Sequence, residues 1–302
     1  MRVEKFEIYL RTEKRYSSHT VQAYTQDLKQ FSDYLSQFYP ESELDNLSHY
    51  QVRSWMVSLM ESGREAVSIH RKISTLRSYY KYLQKEGIIQ NNPLSKIQLP
   101  KKAKKIPVYI PEQKMNDLLD HHFFEETWFG KRDRLLLELF YCSGVRLSEL
   151  LGLKESDLDF QNAQIKVLGK RNKERIIPMP PYLLENLRIF LLEKKETFPE
   201  DLTIKDKSGL ADTLFLTDQG KPIYSKWIYR KVKQFLSLVS TAQKRSPHIL
   251  RHSFATHLLN RGADIQAIRE LLGHASLAAT QVYTHTTTER LKLIYNQAHP
   301  KA

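Results

Sequence analysis

The stretch LGHASLAATQVYTH, from Leu272 to His285, sets Tyr283 nine residues after His274 with no acid or base between them. A free phenol with a pKa of about 10 is mostly neutral at pH 7, so a tyrosine that attacks anything needs a base and an activated electrophile. Upstream, SPHILRHSFATHLL places His248 and Arg251 three apart, which on a helix sets a titratable ring and a cation on one face. That pair suits a phosphate. His248 and His252 are also four apart, the spacing of zinc-binding helices, yet no glutamate base lies between them and no cysteine or nearby carboxylate completes a tetrahedral set. CSGVRLSELLGL carries Arg146 two residues after a glycine, with Glu149 three residues on, able to pair with it or orient it. GKRNKERIIP carries Lys170. Each has an ordinary reading too: a common helical ion pair, a solvated turn lysine, one core tyrosine among 16. His257, and His121–His122 beside Phe123 and Phe124, read as packing or surface residues.

These side chains need elements to hold them. In Thr20 to Phe38 the apolar positions Val21, Tyr24, Leu28, Phe31, Leu35 and Phe38 keep helical spacing. Ser48 can cap a helix carrying Val52, Trp55 and Leu59 that stops at Gly63, and Ser68 one carrying Ile69, Ile73, Leu76, Tyr80 and Leu83 that stops at Gly87. With a helix near residues 3–10, residues 1–90 read as a four-helix bundle. Residues 91–106 hold a lysine cluster without amphipathic period and read as a basic interdomain linker. Residues 107–302 read as a mostly helical second domain. Pro111 to His122 predicts one helix and Arg132 to Cys142 a buried one. Alternation over Ala163 to Met179, broken at Gly169 to Lys173, predicts a β-hairpin. Leu214 to Leu216 suggests another strand, and helices resume near Ser225. The polar run from Glu193 to Asp212 reads as a surface loop.

Composition narrows the class. The 302 residues carry a net charge of +13, and residues 91–110 contribute five lysines without an acid, which points to a polyanionic partner such as nucleic acid. Arg71, Lys72 and Arg77 would give the fourth helix either a DNA-facing side or an ordinary solvated one. Lys101, Lys102, Lys104 and Lys105 would suit a phosphate backbone. No apolar run is long enough for a membrane span or a secretion signal. The single cysteine, Cys142, with apolar neighbours, reads as a buried thiol and fits a reducing cytoplasm.

The ordered set Arg146, Lys170, His248, Arg251, His274 and Tyr283, in the strings GVRLSEL, GKRNKERIIP, HILRHSFATHLL and LLGHASLAATQVYTH, resembles the tyrosine recombinases, and within them the Xer-like integrases. The likeness runs along nearly the whole chain, including SIHRKISTLRSYYKYL and the tail YTHTTTERLKLIYNQAHPKA. It implies a mainly α protein: an N-terminal SAM-like core-binding domain, then a catalytic domain of mixed helices with a small β-sheet, the two clamping double-stranded DNA. It implies Tyr283 as nucleophile, His248 as its general base, and Arg146 and Arg251 as donors to the non-bridging phosphate oxygens. His274 would add a further phosphate hydrogen bond, Lys170 would protonate the leaving 5′ oxygen, and Glu149 would support from behind. Energy stays in a 3′-phosphotyrosyl ester, so neither ATP, another cofactor nor a divalent metal is called for.

Site-specific recombination, in chromosome dimer resolution or on a mobile element, is the leading reading. A catalytically silent DNA-binding protein and a type IB topoisomerase-like strand relaxer are its rivals. The tail adds an expectation. Thr286 and Glu289 have capping-box spacing, and the helix they would start carries Leu291, Leu293, Ile294 and Tyr295. By resemblance that helix docks in a neighbouring protomer, within a homo- or hetero-tetramer on two DNA sites. A second recombinase or a DNA translocase would be a possible partner.

Overall fold

The computed structural model describes residues 2–102, 108–169, 173–198, 212–241, 245–273 and 285–301, with backbone alone at 121 and 285–289. The chain forms two compact units, Met1–Lys105 and Ile106–Ala302.

Four helices build the first unit: α1 (Arg2–Thr12), α2 (Ser18–Phe38), α3 (His49–Glu61) and α4 (Ala66–Lys85). Their apolar stripes meet in one core that includes Phe6, Leu10, Leu28, Phe31, Trp55, Ile73 and Tyr80. Ser48 caps α3 as expected, its hydroxyl accepting from Tyr50 N while the Gln51 side chain accepts from Ser48 N. Gly63 and Gly87 follow α3 and α4 with φ of 74° and 69°, the left-handed conformation glycine adopts without penalty. Helix α4 starts at Ala66, earlier than Ser68 would suggest, because nothing between the Gly63 turn and Ser68 opposes helix. The linker reading needs revision over its described part. Leu94 and Ile97 are buried in this core, the Arg77 guanidinium donates to Ile97 O at 3.3 Å, and Pro100 O lies 2.8 Å from His70 Nε2. The segment is a strap on α4 before Lys101 and Lys102 emerge exposed.

The second unit is organised around α6 (Trp128–Ser143), whose residues from Leu135 to Ser143 are all buried. Helices α8 (Pro181–Thr197) and α10 (Pro247–Asn260) pack on it. The other helices are α5 (Glu112–Leu119), α7 (Leu147–Leu151), α9 (Ser225–Val239), α11 (Ile265–Leu272) and α12 (His285–Ala298). The expected hairpin is present as β2 (Gln164–Leu168) and β3 (Glu174–Pro178), antiparallel with Ile165 opposite Ile177 and Val167 opposite Arg175. The two-residue β1 (Leu158–Asp159), too short to leave a periodic signal, completes a sheet of order β1-β2-β3. Leu214 to Leu216 is not a strand: the segment is held by single bridges, Lys154 to Thr213 and Leu216 to Pro222, with its side chains in the core. The polar run after Glu193 is helical as far as Thr197, and residues 199–211 lie outside the described residues.

In the single chain the tail helix packs on its own unit. Leu291, Tyr295 and Ala298 are buried in the core of their own unit, and the Tyr295 hydroxyl donates to Cys142 O at 3.0 Å. These residues share one helical face four and three apart, and α12 lies against α10, α11 and β3, with Tyr295 reaching the end of α6. Leu293, on the other side, stays exposed.

Candidate active site

The site is assembled at the junction of α6, α7, α10, α11 and the hairpin. Helix α6 ends at Gly144, with φ of 59°; a Cβ there would stand 2.5 Å from the Phe254 ring of α10, so only glycine lets the chain turn so close. Two residues later Arg146 forms the N-cap of α7, and its backbone N–H donates to Glu149 Oε2 at 2.7 Å. Its guanidinium donates to Glu149 Oε1 at 2.6 Å and to Gly273 O at 3.1 Å, while 32% of the side chain remains exposed to meet a ligand. Sequence spacing anticipated this pair.

Arg251 projects from α10 into the same place. It donates to Gly144 O and, at 2.7 Å, to Leu272 O. Burial and then the neighbouring Arg146 charge push its pKa down to about 9, so it is still charged at neutral pH. A cation held this way, desolvated and next to another cation, gains much from an arriving anion. His248 is exposed in the first turn of α10 and His252 is half-buried. Among the described residues no three His, Cys, Asp or Glu side chains gather as a metal site. His257 is a packing residue, its Nδ1 2.8 Å from the Tyr141 hydroxyl. Cys142 is fully buried, and burial pushes its thiol pKa up.

Arg175 carried no functional reading in the sequence, yet it sits at the centre of this group. It lies on the inward face of β3, 4% exposed, and forks onto Glu149 with both contacts at 2.9 Å. Its Nε donates to Leu271 O at 2.9 Å. The available signal was parity: in ERIIP, Arg175 shares the inward face with Ile177, and an inward arginine demands a buried carboxylate. Three arginines therefore hold three successive carbonyls, Leu271, Leu272 and Gly273, at the end of α11. A helix C-terminus has unsatisfied carbonyls and a partial negative charge, which suits cations. Burial would raise the Glu149 pKa, but hydrogen bonds from Arg175 and Arg146 outweigh it and bring it to about 2.

Of the remaining site residues, Lys170, His274 and Tyr283 lie outside the described residues. Lys170 falls between β2 and β3 in sequence, and 274–284 follows directly on Gly273.

The DNA-facing reading of α4 is corrected at Lys72. That side chain is buried, with Nζ 2.9 Å from Asp27 Oδ1 and a second contact to Gln30. Asp27 also accepts from Arg71 at 2.5 and 2.8 Å and from the Thr75 hydroxyl at 3.0 Å. A buried carboxylate draws in the nearest cations, and Lys72 is one turn-neighbour too close to escape. Arg71 and Arg77 keep exposure; Lys104 and Lys105 lie outside the described residues. A basic face that sequence reading passed over is on α9. Trp227, Ile228, Val232, Phe235 and Leu236 are buried, which leaves Lys226, Tyr229, Arg230 and Lys233 together on the exposed side. The charges between the apolar positions of SKWIYRKVKQFL were its signal.

Comparison with known proteins gives a consistent result. Residues 109–290 match the model of the phage integrase family, and residues 3–87 match that of the phage integrase N-terminal SAM-like domain. A tyrosine recombinase XerC from Pelotomaculum thermopropionicum is 36% identical, the match covering 99% of this chain and 98% of that protein. One from Halalkalibacterium halodurans is 38% identical over 99% and 97%. Among solved structures, the XerH recombinase bound to a palindromic difH substrate is similar in fold, with a TM-score of 0.71 at 24% identity over 96% of this chain and 82% of that one. The Tn1549 transposon integrase in complex with transposon right end DNA gives a TM-score of 0.70 at 20% identity over 97% and 99%.

Proposed function

The chain belongs to the phage integrase family, and on that premise we propose how this tyrosine-type site-specific DNA recombinase cuts and rejoins double-stranded DNA. The observation that carries the reading is the convergence of Arg146 and Arg251 on adjacent carbonyls, Gly273 O and Leu272 O, with Glu149 bracing Arg146. Two fork-shaped donors brought to adjacent carbonyls suit the two non-bridging oxygens of one phosphodiester, where negative charge grows in the transition state.

In this reading Tyr283 Oη attacks the scissile phosphorus as its proton passes to His248. The bond from phosphorus to the 5′ oxygen breaks, and Lys170 supplies the proton that makes that oxygen a competent leaving group. His274 adds a donor to the phosphate. The products are a 3′-phosphotyrosyl strand and a free 5′ hydroxyl, and the 5′ hydroxyl of a partner duplex reverses the steps to exchange strands. Arg71, Arg77, Lys101, Lys102 and the basic face of α9 supply contacts to the phosphate backbone, and Lys104 and Lys105 follow next in the sequence. Exchange between two duplexes cuts four strands, each with one tyrosine, and hence takes four protomers. The relatives named XerC favour chromosome dimer resolution over a mobile element.

The test is to trap covalent protein–DNA complexes in cells and sequence the attached DNA, with Tyr283→Phe as the comparison. The wild-type chain should yield an adduct that survives denaturation at a recurring site. The variant should bind that site with similar affinity and yield none. An adduct in the variant would remove Tyr283 from the nucleophile's role.

A further inference from the structure

Resting on the recombinase reading, we propose that Arg175 is the positioning residue for Arg146: through Glu149 it locks that arginine to the hairpin β2–β3 and to the end of α11. Arg175 is 4% exposed, and its Nη1, Nη2 and Nε are all engaged by Glu149 and Leu271 O. Its effect has to pass through what it touches. Each oxygen of Glu149 is shared: Oε1 accepts from Arg146 Nη1 at 2.6 Å and Arg175 Nη1 at 2.9 Å, and Oε2 from Arg146 N at 2.7 Å and Arg175 Nη2 at 2.9 Å. A carboxylate gripped on both oxygens by a planar fork cannot rotate, so the guanidinium of Arg146 inherits a fixed plane.

The same residue reaches two further segments. Its Nε holds Leu271 O, the carbonyl next to the one Arg251 holds. At Gly273, with φ of 62°, a Cβ would stand 3.0 Å from Arg175 Cδ, so a glycine there lets the chain pass over the arginine. At Gly169, one residue before Lys170, a Cβ would lie 3.6 Å from both Arg175 Nη1 and Glu149 Oε1. One buried side chain thus sets the mutual distances of Arg146, the start of the β2–β3 turn, and the last carbonyls before residue 274. The charged groups facing Glu149 are Arg146 from α7, Arg175 from β3 and Arg251 from α10.

The experiment compares wild type, Arg175→Lys and Arg175→Gln as full-length proteins on a nicked duplex carrying the site recovered by covalent trapping. Affinity is read by gel shift, and the rate of covalent adduct formation is read per folded molecule, with folding followed by near-UV circular dichroism. Both variants should bind within about threefold of wild type, since the main contacts to DNA are made elsewhere. Both should form adduct slower by a factor on the order of 10 to 100, the cost of a misplaced catalytic group. Lysine restores charge but not the fork, so it should recover little of the loss. In Arg175→Gln, burial of Glu149 is opposed by one arginine fewer, so its carboxyl pKa rises. Adduct formation should then fall more steeply than in wild type as pH is lowered from about 7 to about 5.

A rate per folded molecule within about twofold of wild type in either variant, without that acid limb, would overturn the proposal. So would affinity falling in step with rate, which would make Arg175 a determinant of DNA binding. If wild type itself yields no adduct, the recombinase reading fails first and this proposal falls with it. Because Arg175→Lys keeps the buried cation beside Glu149, it provides a folded variant even if the glutamine does not.

Discussion

Acid should release the C-terminal helix α12, and one histidine should govern it. His299 follows α12 and is buried, its ring stacked on Tyr295 with centroids 4.8 Å apart and planes 8° apart. Both ring nitrogens are in use: Nδ1 accepts from Lys301 N at 3.0 Å, and Nε2 lies 3.3 Å from Tyr141 O, to which it donates. That pattern belongs to the neutral ring. A second proton would set an N–H against the Lys301 N–H in a site without water's dielectric. Burial accordingly pushes the His299 pKa down to about 3 from an ordinary 6.5.

A histidine with a depressed folded pKa is protonated first in the undocked state, so docking weakens as pH falls below about 6.5, by roughly 1.4 kcal/mol per unit. By pH 4.5 the loss is about 2.7 kcal/mol. Docking buries Leu291, Tyr295 and Ala298, worth about 4–5 kcal/mol of apolar transfer before the entropy of ordering is subtracted. The acid penalty therefore takes most of the margin. The measurement is hydrogen exchange of the α12 amides between pH 7 and 4.5, corrected for intrinsic exchange, in wild type and His299→Phe. Wild type should show about 100-fold more opening at the acid end, while the phenylalanine, which keeps the stack and cannot titrate, should lose most of that slope. His257, whose pKa burial also lowers, is present in both proteins and cancels in the comparison. Equal slopes in the two proteins, or flat wild-type protection, would refute the assignment to His299.

Three further outcomes are expected, one from the site and two from the first unit. Lys170→Ala should be rescued by DNA whose scissile phosphate carries a 5′-bridging sulfur, because a thiolate leaves without a proton, whereas Arg146→Ala should not be; equal rescue of both, followed by gel assay of strand cleavage, would count against Lys170 as the acid. Asp27→Ala should lower stability by about 3–5 kcal/mol in thermal or denaturant unfolding, since it strands the buried Lys72. Lys72→Met should leave the salt dependence of DNA affinity unchanged; a slope smaller by about 0.9 would put Lys72 on a phosphate after all.

Much of this protein is written in local sequence. Helical spacing in Thr20 to Phe38, the cap at Ser48, the glycine stops at Gly63 and Gly87 and the alternation around Gly169 to Lys173 are short-range signals, and the elements they specify are present. The ordered arginines, lysine, histidines and tyrosine identified the family, because each sits in a string whose neighbours fix its local role. What sequence could not supply is which distant groups share space. Lys72 looked like its neighbours Arg71 and Arg77 until Asp27, on another helix, claimed it. Arg175 drew no reading in the sequence, and only the fold shows Glu149 and the Leu271 carbonyl converging on it. Leu291 and Tyr295 announced a surface in need of cover, and in the packed unit α10, α11, β3 and the end of α6 lie against it. Burial energy and charge pairing depend on through-space neighbours, while periodicity, caps and turns depend on the chain's own next few residues. The pairings of Lys72, Arg175 and Tyr295 join segments far apart in the chain, and tertiary structure alone brings those segments together.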